Sequence, residues 1–156
     1  MISPDGVPRV LEFNCRLGDP ETQPLLMRLR SDLVDLAEAA LDGHLDRVEA
    51  RWDPRPALGV VLAAEGYPGS VRKGDVIEGL GEDPPETKVF HAGTAERDGR
   101  VVTAGGRVLC VTALGATVAE AQRRAYARAS RIAWSGMHYR RDIGYRAVAR
   151  EEKKTS

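Results

Sequence analysis

The sequence predicts an α+β fold: a terminal strand and helices of one domain, followed by a small strand-rich domain with one long helix. Three observations support this. Polar and apolar residues alternate over residues 10–16, short apolar runs bounded by glycine and proline recur between residues 57 and 114, and an alanine-rich stretch with helical spacing follows residue 117. A chain of 156 residues can bury a core of its own.

The first predicted element is a hairpin over residues 2–16 that turns at residues 4–6. Along its second strand, residues 10–16, a period of two separates an apolar face from a polar one. The apolar face carries Leu11, Phe13 and Cys15. A half-exposed strand with no further role shows the same alternation, so the pattern alone leaves the function of this strand open.

The polar face of this strand carries Glu12, Asn14 and Arg16. A carboxylate and an amide oxygen two residues apart on a strand can share one Mg²⁺, and an arginine beside them can hold an anion. Gly18 then allows a close backbone approach to a ligand, and Asp19 begins a turn.

The next segment predicts one helix between two irregular stretches. Pro20 and Pro24 predict irregular structure, and Ser31 is the predicted N-cap of a helix with leucine and alanine on one stripe. Gly43 is its predicted end. Residues 46–56, rich in proline and aspartate towards their end, predict a linker.

The second half predicts short strands and the long helix. The strands lie near residues 57–64, 76–79, 87–92, 100–103 and 107–114. A hairpin turn is expected at residues 98–99 and a bulge or tight strand entry at residues 105–106. Thr117 and Glu120 form a capping box that begins a helix reaching to about Ile132.

The charged residues of the second half are predicted to be structural. The helix would expose a charged face, formed by Glu120, Arg123, Arg124, Arg128 and Arg131. His91 is expected to be a hydrogen-bonded structural histidine, and residues 140–146 to form ion pairs.

Composition excludes several classes of partner. The formal net charge is +0, which argues against a nucleic-acid or membrane surface, and no apolar run approaches the length of a membrane span. Two cysteines in apolar patterns, Cys15 and Cys110, predict buried free thiols, as in a cytoplasmic protein.

Residues 10–23 read VLEFNCRLGDPETQ, which resembles the signature of the glycinamide ribonucleotide synthetase family, ligases of the ATP-grasp superfamily. Only Leu17 departs from the family pattern, which usually has Phe there. Four further blocks resemble the same family in the same order: LGVVLAAEGYPG at 58–69, KVFHAGT at 88–94, GGRVLCVTALG at 105–115 and RDIGYRA at 141–147.

The resemblance implies an ATP-dependent ligase that joins 5-phosphoribosylamine and glycine through a glycyl phosphate, in de novo purine synthesis. It implies Mg²⁺ (or Mn²⁺) held by Glu12 and Asn14, ATP as co-substrate, and catalytic roles for Arg16, Gly18 and Asp19. Residues 1–52 would end an ATP-grasp domain, residues 53–150 would form the family's C-terminal domain, and residues 151–156 would be a polar tail.

By the same resemblance, we expect a truncated chain whose Met1 is not the native start and whose partner is the N-terminal part of the same enzyme. Two alternatives remain at this stage. One is another ATP-grasp carboxylate–amine ligase or carboxylase, and the other is a binding or assembly module without catalysis.

Overall fold

A computed structural model describes residues 2–11, 13 and 15–155, with side chains to residue 153. In this part of the chain the α+β class is confirmed, with four α-helices and two antiparallel sheets. The helices are α1 (Thr22–Arg28), α2 (Leu33–Leu41), α3 (Val118–Ala129) and α4 (Tyr145–Thr155), and Leu45–Arg47 form a 3₁₀ turn. The strands are β1 (Ala57–Ala63), β2 (Thr87–His91), β3 (Thr94–Arg97), β4 (Arg100–Thr103) and β5 (Arg107–Leu114).

A three-stranded sheet with the order β1-β5-β2 organises the fold. Its central strand, β5, pairs antiparallel with both neighbours, and all of its residues after Arg107 are buried. One face carries the pairs Leu58↔Ala113, Val60↔Val111 and Leu62↔Leu109, and these side chains form the hydrophobic core.

Helix α3 covers the core face of the sheet. Its Ala121, Ala125 and Ala129 are fully buried, and their small side chains let the helix lie close to the strands. The predicted cap is present, since Thr117 Oγ1 accepts from the Glu120 backbone N–H at 3.1 Å. The Glu120 carboxylate accepts from the Ala116 N–H at 2.7 Å instead of returning to Thr117, and this bond is the main reason that the pKa of Glu120 is lowered.

Helix α1 lies on the opposite face of the sheet. The prediction of irregular structure at Pro24 is wrong, because this residue is part of the helix. Pro24 occupies the first turn of α1, where a missing N–H breaks no helical hydrogen bond. A Cβ on Gly59 of β1 would lie only 3.2 Å from Pro24 Cγ, so the glycine makes room for the helix.

Helix α2 begins one residue later than predicted. Asp32 is the N-cap, because its carboxylate accepts from the Val34 N–H at 2.7 Å, while Ser31 Oγ accepts from the Arg51 N–H at 2.8 Å. The predicted end is confirmed, with Gly43 at φ +72°. The apolar stripe of α2 lies open to solvent: Leu41 is 88 % exposed.

The predicted linker over residues 46–56 contains a buried carboxylate, Asp53, that forms ion pairs with two arginines. Asp53 is 2 % exposed and binds the guanidinium groups of Arg55, at 2.8 Å, and Arg30. Hydrogen bonds from Arg55 are the main cause of an Asp53 pKa well below its usual range. Because Arg28 Nε also donates to the Asp53 carbonyl at 3.1 Å, the end of α1 is tied to the start of β1.

A second sheet, the hairpin β3–β4, contains a strand that the sequence did not predict, β3. The turn signal is confirmed, because Asp98 (φ +52°) and Gly99 (φ +69°) both adopt the left-handed conformation of a tight hairpin turn. The strand predicted at residues 76–79 is wrong: this stretch makes only isolated bridges, to Val102 and Ala133.

Arg128 contradicts the prediction that the arginines of α3 form an exposed face. It is 3 % exposed, and its Nε donates to Asp83 Oδ1 at 2.9 Å. Its two terminal nitrogens donate to the carbonyls of Gly79, at 2.9 Å, and Gly81, at 3.2 Å. The side chain therefore fastens the 79–83 loop to the helix, whereas Arg123 is exposed as expected.

The C-terminal helix is joined to the beginning of α3. Glu151 accepts from the backbone N–H groups of Val118, at 2.8 Å, and Ala119, at 3.3 Å. Residues 151–155 thus continue α4. The predicted ion pair before this helix is confirmed, with Arg140 and Asp142 at 2.7 Å. No helix in the described part of the chain is long and apolar enough to cross a membrane.

Candidate functional site

The candidate site is the turn at residues 18–20 and its contacts with the start of β5. The Gly18 carbonyl accepts from both the backbone N–H of Thr22, at 3.0 Å, and its hydroxyl, at 2.5 Å, so the turn leads directly into α1. The Asp19 carboxylate pairs with Arg107 at 3.1 Å, and the Asp19 carbonyl accepts from the same guanidinium at 3.4 Å. Two of the predicted site residues, Gly18 and Asp19, are thereby held against the sheet.

A cleft of about 420 Å³ opens beside this turn. Its floor is the outer face of β1, with Gly59, Val61 and Ala63, and its rim includes Pro20 and Arg107. The opposite wall is formed by His138, Tyr139, Arg140 and Ile143. The cleft is mainly apolar, and its two arginines are each already paired with an aspartate.

The predicted metal ligands, Glu12 and Asn14, lie outside the described residues. No group of three or more His, Cys, Asp or Glu side chains that could hold a metal ion occurs elsewhere in the described part of the chain. The pair therefore stays a prediction. Its donor set, one carboxylate and one amide oxygen, suits a hard cation whose other ligands are phosphate oxygens and water.

The strand predicted over residues 10–16 is wrong for the residues that the structure describes there, which belong to neither sheet. A strand needs hydrogen-bonding neighbours, and both sheets are built from later parts of the chain. Its predicted apolar face is correspondingly open: Leu11 is 71 % and Phe13 82 % exposed, and Cys15 is exposed where a buried thiol was predicted. Arg16 is exposed and donates to the Leu17 carbonyl at 2.9 Å.

Two further predictions for side chains, those for Cys110 and His91, are confirmed. Cys110 is a buried free thiol, and burial raises its pKa. His91 Nδ1 lies 3.1 Å from Thr94 Oγ1, a hydrogen bond of the structural kind. The bulge expected near residues 105–106 is present immediately after them, where β5 carries one extra residue opposite Leu62 and Ala63.

Sequence reasoning missed Arg107, whose side chain pairs with Asp19 of the turn and lines the cleft. Its position at the start of a strand predicts an ordinary exposed arginine. The adjacent Gly105-Gly106 was the available signal, since it marks the irregularity that decides which face Arg107 occupies.

The fold and site define an α+β domain whose central antiparallel sheet carries α3 on one face and, on the other, α1 with the turn at residues 18–20. The chain belongs to the family described as phosphoribosylglycinamide synthetase, C domain, whose model matches residues 57–146. The resemblance inferred from the sequence motifs is thereby confirmed.

Relatives extend the match beyond that domain. A phosphoribosylamine–glycine ligase of Vibrio parahaemolyticus is 62 % identical over 155 residues, which cover 99 % of this chain and 36 % of the relative. The ligase of Pseudomonas aeruginosa is 64 % identical over 152 residues, 97 % of this chain and 35 % of the relative. The chain spans about a third of the length of these relatives.

A solved structure agrees with the fold. The crystal structure of phosphoribosylamine–glycine ligase from Thermotoga maritima superposes with a TM-score of 0.67 at 42 % sequence identity. The superposition covers 88 % of this chain and 34 % of that one.

Proposed function

We propose that this chain is the C-terminal part of an ATP-dependent ligase that joins 5-phosphoribosylamine and glycine. The observation that carries the proposal is the extent of the match, because the relatives named phosphoribosylamine–glycine ligase align over 97 to 99 % of the chain. The alignment therefore includes most or all of the segment ahead of residue 57, where the predicted metal ligands and the turn at residues 18–20 lie.

The reaction proceeds in two transfers. The glycine carboxylate attacks the γ-phosphorus of ATP, which forms glycyl phosphate and releases ADP. The amine of phosphoribosylamine then attacks the acyl carbon, the phosphate leaves, and the amine loses a proton, so that an amide bond is formed. A carboxylate is a poor electrophile, and the phosphate makes its carbon reactive. We place the enzyme in the cytoplasm, because the free thiols of Cys15 and Cys110 are typical of a reducing compartment.

The residues ahead of α1 supply the metal and anion contacts in this proposal. Glu12 and Asn14 would hold Mg²⁺ (or Mn²⁺), which when bound would offset the charge of the nucleotide phosphates. Arg16, whose guanidinium is exposed, binds the glycine carboxylate or the acyl phosphate. Backbone N–H groups near Gly18 and Asp19 stabilise the oxyanion of the second step.

The remainder of the enzyme is the proposed partner of residues 1–52. Among the described residues, every exposed large apolar side chain except Tyr145 belongs to this segment, including Val10, Leu33 and Leu41. An apolar surface of this kind is rare on a free domain and is typical of a face covered by another part of a protein. The relatives are about three times as long as this chain, so the occupant that fits is the rest of the same polypeptide. We place the domain boundary at Asp53, whose ion pairs join the two segments, and the second domain then reaches residue 150.

The chain by itself is expected to release no phosphate from ATP. The relatives carry nearly two thirds of their length outside it, so it lacks most of the surface that would enclose a nucleotide. Purified chain, ATP, Mg²⁺, glycine and phosphoribosylamine should give phosphate at the blank rate. A chimaera in which the rest of the Vibrio parahaemolyticus ligase precedes this chain should form glycinamide ribonucleotide. An inactive, folded chimaera would contradict the proposed function.

Arg16→Lys in this chimaera is expected to lower kcat/KM for glycine by about tenfold, because lysine keeps the charge and loses the planar fork of two N–H donors. Arg123→Lys is the matched control, since Arg123 is exposed on α3 and should stay near wild type. Steady-state kinetics with thermal melts checks both. Equal, small effects in the two variants would mean that Arg16 contacts no substrate.

A further inference from the structure

The bulge in β5 determines the face on which Arg107 lies. From Ala57↔Leu114 to Leu62↔Leu109 each step along β1 matches one step along β5, but the next pair is Ala63↔Arg107. Val108 is the extra residue, and it is fully buried in the core. Paired residues point to the same face of a sheet, so Arg107 shares the face of Ala63.

Without the extra residue, Arg107 would lie on the same face as Leu109 and Val111 and point into the core beneath α3. With it, the guanidinium reaches the outer face, where Val61 and Ala63 form the floor of the cleft. A bulge that redirects one side chain in this way is a recurrent device beside functional sites.

The redirected side chain binds the turn at residues 18–20. Its N–H groups meet the Asp19 carboxylate at 3.1 Å and the Asp19 carbonyl at 3.4 Å. Behind the turn, the Gly18 carbonyl is bonded to Thr22, and α1 is seated on Gly59. The turn is therefore fixed from both sides, by α1 and by Arg107.

We propose that Arg107 is a positioning residue that acts through Asp19. By holding this turn it would position the segment that precedes the turn in the chain, which carries the proposed metal ligands Glu12 and Asn14 and the proposed anion contact Arg16. The inference rests on the proposed function for the identity of those ligands. It also revises the role of Asp19, whose carboxylate anchors the turn while only its backbone remains for substrate.

The test is a double-mutant cycle in the chimaera, with Arg107→Met, Asp19→Asn and the double variant. Each single variant should raise the apparent Mg²⁺ activation constant and lower kcat, by about threefold to tenfold, since an exposed ion pair is weak but a misplaced ligand is costly. The double variant should lose no more than the singles, because both remove the same contact. Arg107→Lys should recover part of the loss, and Arg100→Met, an exposed arginine of the other sheet, should behave as wild type.

A merely structural role would lower the melting temperature and leave the Mg²⁺ constant unchanged. An Mg²⁺ constant and kcat within about twofold of wild type in Arg107→Met, or losses that multiply in the double variant, would overturn the proposal.

If the wild-type chimaera has no activity, the proposed function is wrong, and the contact between Arg107 and Asp19 is then tested in the chain without the added ligase segment. There, Arg107→Met should accelerate hydrogen exchange of the Thr22 amide, which donates to Gly18, by about threefold or more. Unchanged exchange, with Arg100→Met as the reference, would overturn the anchor as well.

Discussion

Arg128→Leu is expected to lower the free energy of unfolding of this chain by about 3 to 5 kcal/mol, the scale of breaking a buried ion pair by removing one partner. The substitution leaves Asp83 without its 2.9 Å partner and the carbonyls of Gly79 and Gly81 without their donors. Asp83 retains the Val89 N–H at 3.0 Å and the Lys88 ammonium at 3.8 Å, and because the Lys88 side chain is exposed to solvent it offsets only a small part of the lost interaction. Urea denaturation with a fitted midpoint and slope measures the change.

Arg123→Leu is the matched control, because it makes the same substitution on the same helix at a side chain that is 73 % exposed. Arginine and leucine have similar helix propensities, so this variant should stay within about 0.5 kcal/mol of wild type. Arg128→Lys should fall between the two, since one ammonium cannot reproduce a fork that meets three acceptors. An equal loss in the two leucine variants would show that the contacts of Arg128 do not hold the 79–83 loop.

Arg128 was predicted to be exposed because it is charged, although its position in the helical repeat places it among the buried residues. Buried positions of α3 are Ala121, Ala125, Arg128 and Ala129, which is the i, i+4, i+7, i+8 pattern of a helix face turned to the core. A charged residue is almost never fully buried unless it is paired. Its partner, Asp83, lies 45 residues away in the chain, and nothing local announces it.

Elements with local signals were predicted well. The strands β4 and β5 have the predicted bounds, and the turn at Asp98 and the cap at Thr117 follow from side-chain chemistry within four residues. Helix α1 was not predicted because Pro24 was interpreted as a helix breaker. Pro24 lies in the first turn of α1, where proline is tolerated.

The sequence motif of the candidate site was recognised, but the contact between Arg107 and Asp19 that holds the turn was not predicted. Residues 10–23 identified the family, which the comparison with known proteins confirms. The anchor at Arg107 depends on a one-residue shift in the pairing of two strands, and strand register is a tertiary property. The strand prediction for residues 10–16 was wrong for a related reason. Alternation of polar and apolar residues shows which side chains could share a face, but it does not show whether a neighbouring strand is present to form the backbone hydrogen bonds.

Glu12→Gln is expected to reduce kcat of the chimaera by about a hundredfold, the scale of removing one positioned electrostatic group from an active site. Glutamine keeps the size of the side chain and removes the negative charge that attracts Mg²⁺, so the apparent Mg²⁺ constant should rise in parallel and high Mg²⁺ should restore part of kcat. Asn14→Ala should act in the same direction.

Glu96→Gln is the matched control for this substitution, because Glu96 is an exposed carboxylate of β3, in the sheet that carries none of the proposed site residues. Titration of Mg²⁺ at saturating ATP, with melting curves for each variant, separates loss of metal from loss of fold. The proposed roles fit only one outcome: Glu12 and Asn14 variants that need more Mg²⁺ at unchanged melting temperature, beside a Glu96 variant that does not. If the Glu12 and Asn14 variants keep the wild-type Mg²⁺ dependence, the two side chains do not bind the metal, and the proposed metal site is wrong.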